Sequence, residues 1–549
     1  MNHNAATIHA LSQLLGATTD AAVQICHGRL PAGVDRDGRV AVGAFDPVGI
    51  QELLLTSRRP KEVLGASLLL HEWDRRAPER ANRHGVHVLY AGAGQSIVIG
   101  PEAGVASWAT SEPEAFAQEV GGTAAAAALP CTLRELVEGP RSWAGPTSAA
   151  DLARLGVEAG GGGGFGGLLG VLSARLRVAK DAAGYAIADH DGRRCQSSGI
   201  LPVEAGSKVS SLCRRFNEAA MRLGGHRGES IAEFAGGVAF VAVDGTGIGA
   251  RIQALHTMGD YIALSGALDA AFGFHALGRH LGALGVANRD WIPVMAGGDD
   301  IVFALAAGAA FSGGVGPLEL LHALLDRIGA AYDDAITGTP LASEPPVGAG
   351  AGLVVGESVT ARIAVTLARK LVKSAKSMRG ASGERPRFAI DYEIVRRGST
   401  VSASISDLRQ AQELDWDPPF SKKRAKLRMV RRPFALDHSK HLAGLAAATE
   451  DQGESGRSLL YRLRQALADD PMAGLVDAAY LLSRVSPSPP LATELALSEK
   501  QVGGSLDGID HALVRDEGMV DNTRVYSTGV AEIIDMATLR IRARGVEGT

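Results

Sequence analysis

Two stretches of the chain repeat one hydrophobic plan. Residues 39–45 are almost wholly apolar and end at Asp46, and Val238 to Val243 form a second such run that ends at Asp244. Runs this short and this apolar predict strands rather than helices. Each is followed by a helical stretch and then by two apolar runs around a glycine-rich turn. The first hairpin spans 86–99, with Gly92-Ala93-Gly94-Gln95 at its turn, and the second spans 292–305, with Gly297-Gly298-Asp299-Asp300. The repetition predicts an internal duplication. Beyond the second hairpin the pattern predicts a helix over 318–334, a strand over 351–355, a helix over 358–377 and a strand over 388–395. Leu/Ala periodicity over 458–467 and 472–483 predicts a helical C-terminal part. The Ala/Gly-rich region between the copies reads as helices and connectors. Its cluster from Gly160 to Gly167 lacks the Lys-Ser/Thr ending of a phosphate-binding loop, so it reads as a flexible linker.

Composition narrows the function. A chain of 549 residues that is 46% hydrophobic can bury several cores. A formal net charge of -4 excludes a protein whose main task is coating nucleic acid, and any such contact must be local. Four scattered cysteines (Cys26, Cys131, Cys195, Cys213) are too few to staple the chain, which points to a reducing compartment and hence the cytoplasm. No signal-peptide pattern or long uncharged apolar window predicts secretion or membrane insertion.

The candidate chemistry lies in the second copy. A tight turn at Gly297-Gly298 lifts Asp299 and Asp300 to the hairpin tip, and Asp244 ends a strand expected to lie beside it. Three carboxylates at one edge suit two Mg2+ or Mn2+ ions, which prefer oxygen ligands. Such ions support nucleotidyl transfer by holding a triphosphate, activating a 3′-hydroxyl and stabilising the leaving pyrophosphate. The bland alternative for Gly-Gly-Asp-Asp is a solvated surface turn.

Gly245, Gly247 and Gly249 stand where a strand gives way to a helix, so bare N–H groups there could approach a phosphate. Their spacing differs from the Gly-x-Gly-x-x-Gly of a dinucleotide site. Lys373 and Lys376 lie one helical turn apart and could grip the β- and γ-phosphates, or form an ordinary solvated face. The densest positive stretch, Lys422, Lys423, Arg424, Lys426, Arg428, Arg431 and Arg432, is a candidate contact for RNA or an RNA-bound partner; a solvated helix start or an acidic protein neighbour is the alternative.

Taken together these motifs resemble the large polymerase/cyclase subunit of type III CRISPR effector complexes. The first copy matches at residues 45–53 and at Leu64-Gly65-Ala66-Ser67; the second matches at Asp244-Gly245, the Gly-Gly-Asp-Asp hairpin and Ala375-Lys376. The resemblance implies an α+β fold with two ferredoxin-like palm domains. It divides the chain into a degenerate first palm (1–120), a helical and glycine-rich linker region (121–230), a catalytic second palm (231–400) and a C-terminal helical domain (401–549). It also implies that ATP is joined into cyclic oligoadenylates when a complex carrying guide RNA and other subunits senses target RNA.

Two departures from the family follow. The roughly 40 residues ahead of the first strand are too few for an N-terminal HD nuclease domain, and His190-Asp191 reads as a polar loop. Cys195 and Cys213 each keep one cysteine of a possible Cys-x-x-Cys pair, so a four-ligand zinc site is not expected. Two other functions remain open. One is a diguanylate-cyclase-like synthase, although Ile301 stands where its motif has Phe. The other is a silent scaffold, against which three clustered carboxylates count, because without an ion they repel one another.

Overall fold

The computed structural model describes residues 3–55, 60–139, 164–184, 186–188, 194–196, 203–223, 237–306, 316–356, 361–379, 383–395, 405, 409, 413–416, 425–428, 432–450, 462, 465, 515–520, 523–527, 532 and 534–536. Two helices lead in, α1 (His3–Leu15) and α2 (Thr19–Cys26). The Ala21 N–H donates to the Thr18 hydroxyl at 3.2 Å and so starts α2. There follow β1 (Arg39–Val48), α3 (Ile50–Leu54), α4 (Pro60–Arg75), α5 (Ala77–Asn82), β2 (His87–Gly92), β3 (Gln95–Gly100), α6 (Glu102–Glu119) and β4 (Thr123–Thr132). These strands form an antiparallel sheet in the order β2-β3-β1-β4.

The fourth strand corrects the expected boundary at residue 120. The alanine run of β4 reads as helix by propensity, yet it pairs with β1 residue for residue from Arg39↔Thr132 to Val48↔Thr123. Gly121 and Gly122 break the chain before it, and its small side chains let helices close on the sheet. Thr132 then starts α7 (Leu133–Glu138) with a reciprocal capping box to Glu135.

The glycine cluster is corrected in part. Residues 160–163 lie outside the described residues, but Gly164 opens α8 (Gly164–Ala183), with Phe165 fully buried. A Cβ on Gly166 would lie 2.6 Å from the Gln253 and Leu255 carbonyl oxygens. At that position glycine serves close backbone approach rather than freedom of motion.

After β5 (Ala186–Ala188), β6 (Arg194–Gln196) and α9 (Val203–Leu223), the plan returns. It runs β7 (Val238–Thr246), α10 (Ile248–Ala254), α11 (Met258–Phe272), α12 (Phe274–Ala283), β8 (Trp291–Gly297), β9 (Asp300–Ala306), α13 (Pro317–Ile336), β10 (Gly348–Gly356), α14 (Ala361–Ser377) and β11 (Phe388–Val395). The chain continues through β12 (Glu413–Trp416), β13 (Ala425–Arg428), β14 (Phe434–Ala435), α15 (Leu436–Glu450), β15 (Arg515–Val520) and β16 (Thr523–Ser527). The second sheet has the order β14-β11-β10-β7-β9-β8, so its β10-β7-β9-β8 repeats β4-β1-β3-β2 strand for strand.

The expected all-helical C-terminal part is also corrected, because β12, β13, β16 and β15 form a third sheet in that order. The alternation Ala425-Lys426-Leu427-Arg428 has a strand's period of two, hidden by the density of charge around it. The expected helices over 458–467 and 472–483, apart from helical residues 462 and 465, lie outside the described residues, as does His190-Asp191.

Both faces of the two large sheets are covered. Alternate residues of β7 enter different cores: Ala239, Val241 and Val243 join one, and Phe240 and Ala242 the other. Each core also takes residues from the first sheet, so the two sheets share their packing. Among the described residues no helix is long and apolar enough to cross a membrane.

Candidate functional site

Strand pairing brings the predicted carboxylates to one edge. Asp244 of β7 stands opposite Asp300 of β9, and Gly297 of β8 also pairs with Asp300, which leaves Gly298 and Asp299 as the turn. Gly298 has φ 64°, which a side chain would strain. The Gly245 N–H donates to the Asp299 carbonyl at 2.8 Å and fixes the turn against β7. A Cβ on Gly245 would lie 2.9 Å from the Asp299 Cβ and 3.4 Å from its carboxylate, so the missing side chain keeps the space beside Asp299 open.

Helix α14 supplies the countercharge. Glycines at 350 and 352 let it press on β10: a Cβ on Gly352 would lie 2.0 Å from the Ala368 carbonyl, and one on Gly350 2.7 Å from Lys376 Cγ. That approach delivers Lys376 Nζ to 2.7 Å from Asp244 Oδ2. Two turns earlier on the same face, Arg369 is ion-paired with Asp300. Lys373, the other predicted phosphate contact, is exposed on the same helix. Arg369 was missed from the sequence, although its positions i, i+4 and i+7 with Lys373 and Lys376 mark one helix face.

Burial dominates the electrostatics. It pushes the Asp299 carboxyl up to about 6, helped by the charge of Asp244 and opposed by Lys376. Burial likewise raises Asp300 to about 7 against the pull of Arg369. Among the described residues no three His, Cys, Asp or Glu side chains converge into a ready metal cage. Asp244 lies near enough to Asp299 for its charge to raise that carboxyl, so these two are the acidic side chains that could hold a divalent cation, while Asp300 is ion-paired with Arg369. Gly247 begins α10 with φ 77°, a conformation suited to its lack of a side chain.

The first sheet repeats the frame without the turn carboxylates. Asp46 of β1 pairs with Lys180 near the end of α8 at 2.6 Å, as Asp244 pairs with Lys376. Its turn abuts the second one. A Cβ on Gly297 would lie 2.4 Å from the Ala93 nitrogen, and one on Gly298 3.1 Å from the Tyr90 hydroxyl. Asp74 of α4 holds that first turn by accepting the Gly94 N–H with both oxygens at 3.0 Å.

The basic run is divided. Lys422, Lys423, Arg424 and Arg431 lie outside the described residues, as does the side chain of Arg428, and Lys426 is half-buried on β13. Arg432 is no surface contact: it is buried, donates to the Tyr392 carbonyl and lies 3.7 Å from Glu393 and 3.9 Å from Glu532. Of the cysteines, Cys26 and Cys131 are buried and Cys213 is half-buried, all three as free thiols.

No family model matches the chain, and no curated protein matches it by sequence. Solved structures match it by shape. The apo Csm1–Csm4 cassette aligns with a TM-score of 0.52 at 15% identity, over 95% of this chain and 73% of that one. The fold is that of Csm1. The Csm1–Csm4 subcomplex of the type III-A CRISPR-Csm interference complex aligns at 0.51 with 14% identity, covering 96% and 73%. The cassette solved with cA3 gives the same score, identity and coverage. The Csm1 likeness therefore takes in nearly the whole chain, both sheets included.

Proposed function

We propose that this chain is a palm-type nucleotidyltransferase that joins ATP into cyclic oligoadenylates as a subunit of a type III CRISPR complex. The observation that carries this reading is the gathering of Asp244, Asp299 and Asp300 at one strand edge, with Lys376 paired to Asp244 and Arg369 to Asp300. The sheet order β4-β1-β3-β2 and its repeat fit two ferredoxin-like palms. The first then reaches at least to residue 132 and the second spans about 237–395. Csm1–Csm4 cassettes of this fold were solved with cA3 and with pppApA, which supports adenylate chemistry here.

In this mechanism Asp244 and Asp299 hold Mg2+ or Mn2+, which supplies Lewis acidity toward the 3′-hydroxyl and the pyrophosphate. Asp300, anchored by Arg369, keeps β9 in register with Asp244 and so sets the spacing of the other two carboxylates. The exposed Lys373 binds the triphosphate tail. Lys376 neutralises Asp244 before substrate arrives and turns to phosphate afterwards. Gly245 and Gly247 leave room for the nucleotide against the backbone. The first palm lacks turn carboxylates and does no chemistry. The basic segment around Lys422 to Arg428 meets RNA or an RNA-bound subunit.

The test is incubation of the purified protein with ATP and Mn2+, alone and with guide RNA, target RNA and partner subunits, followed by mass spectrometry. Cyclic adenylates are expected. A product from GTP instead would favour a diguanylate-cyclase-like enzyme, and no product under any condition would favour a scaffold.

A further inference from the structure

The turns of the two sheets meet backbone to backbone. Gly297 has no side chain to separate it from Ala93, and the first turn presents Ala93 at φ 53°, a conformation that a non-glycine residue keeps only when its surroundings impose it. What imposes it is Asp74. Its carboxylate accepts the Gly94 N–H with both oxygens at 3.0 Å, from a helix that packs on β8, the strand leading into the second turn. Tyr90 completes the junction. Its hydroxyl is buried without a hydrogen-bond partner among the described residues, and lies where a Cβ on Gly92 or on Gly298 would approach to 2.6 or 3.1 Å. The Tyr90 hydroxyl therefore occupies the space beside Gly298, against the second turn.

We propose that Asp74 is a positioning residue for the nucleotidyl-transfer site: it pins the Ala93-Gly94 turn as a seat on which Gly297 rests, and that seat sets where Asp299 stands relative to Asp244. The inference rests on the proposed transferase reading for its kinetic consequence, but its structural part stands apart from it. Asp74 touches neither Asp244 nor Asp299. It acts through two backbone turns, which explains why a sheet without its own turn carboxylates stays pressed against the one that has them. Displacing Asp299 alone changes the geometry of the reacting groups while leaving Lys373 and Lys376, on a separate helix, free to hold the triphosphate. A misplacement of about 1 Å at a reacting centre is enough to cost about a hundredfold in rate.

The experiment compares Asp74→Ala, Asp74→Asn and Gly297→Ala with the unaltered chain by hydrogen exchange at the amides of 297–300 and by steady-state kinetics with ATP and Mn2+. Asp74→Ala should raise exchange at the turn about tenfold and lower kcat about a hundredfold with KM for ATP nearly unchanged. Asp74→Asn keeps an oxygen for the Gly94 N–H and should restore both readouts. Gly297→Ala drives the turns apart from the other side, without touching α4, and should reproduce the alanine phenotype if Asp74→Ala does not fold. Unchanged exchange at 297–300 in both alanine variants overturns the proposal whatever the activity. Raised exchange with wild-type kcat overturns it while leaving the transferase reading standing. If the unaltered chain makes no product, alone or with guide RNA, target RNA and partner subunits, and exchange still rises and is restored by Asn, the seat stands and the transferase reading falls.

Discussion

Lys376 Nζ lies 2.7 Å from Asp244 Oδ2, so the helix that would bind phosphate is already tied to the strand that would bind metal. The same tie joins Lys180 to Asp46 in the first sheet, at 2.6 Å. The two copies thus agree in the frame and differ at the turn. Chemistry should follow the turn.

Asp244→Ala and Asp299→Ala are each expected to lower product formation by about a hundredfold or more with little loss of melting temperature, since each removes one of two mutually repelling carboxylates. Asp46→Ala should leave turnover within a few-fold of wild type. Equal losses at Asp46 and Asp244 would assign chemistry to both copies.

Metal affinity should rise with pH. Burial holds Asp299 near 6, so below that value a divalent cation must displace its proton, while Asp300, held near 7 beside Arg369, carries a proton outside the cation site. The sign for stability runs the other way in the absence of metal. Unfolded aspartates release their protons near 3.9, so the metal-free fold loses stability as pH climbs from about 4 through 7. Melting curves at pH 5.5 and pH 8 with and without Mn2+ test both, and the Mn2+-induced gain should be larger at pH 8.

Lys373→Ala should raise KM for ATP about tenfold, the effect of one charge-assisted contact of about 1.5–3 kcal/mol, with a smaller change in kcat. An unaltered KM would mean that this helix face is only solvated.

Arg432→Ala should destabilise the protein by about 3–5 kcal/mol, because it removes a buried cation from beside Glu532 and Glu393, of which Glu393 keeps Arg409 at 3.3 Å. Neutralising Lys422, Lys423 and Arg424 should instead leave the melting temperature unchanged and flatten the salt dependence of RNA binding. A common effect of both sets on RNA affinity would contradict this division of the basic run.

Strands β1, β7, β8 and β9 were legible because apolar runs between glycines and aspartates have few other solutions, and Phe388–Val395 was bounded to the residue. Strand β4 was not, since five consecutive alanines carry helix propensity and only pairing with β1 overrides it. Asp244, Asp299 and Lys376 could be found because each is marked by a neighbour in sequence. Arg369 shares the helix face of Lys373 and Lys376, but its pairing with Asp300, distant along the chain, needed the fold. The seat formed by Asp74, Tyr90 and Ala93 is tertiary throughout, and no local pattern signals it.

The abutting turns also limit how such a pair of sheets can be assembled. In a dimer of identical chains every change to one turn is a change to both, so a blank turn facing an armed one cannot be encoded. Fusing the two copies into one chain releases them from that symmetry. One turn is free to specialise as a support, the other keeps its carboxylates, and each molecule carries them in a fixed ratio of one to one at any protein concentration.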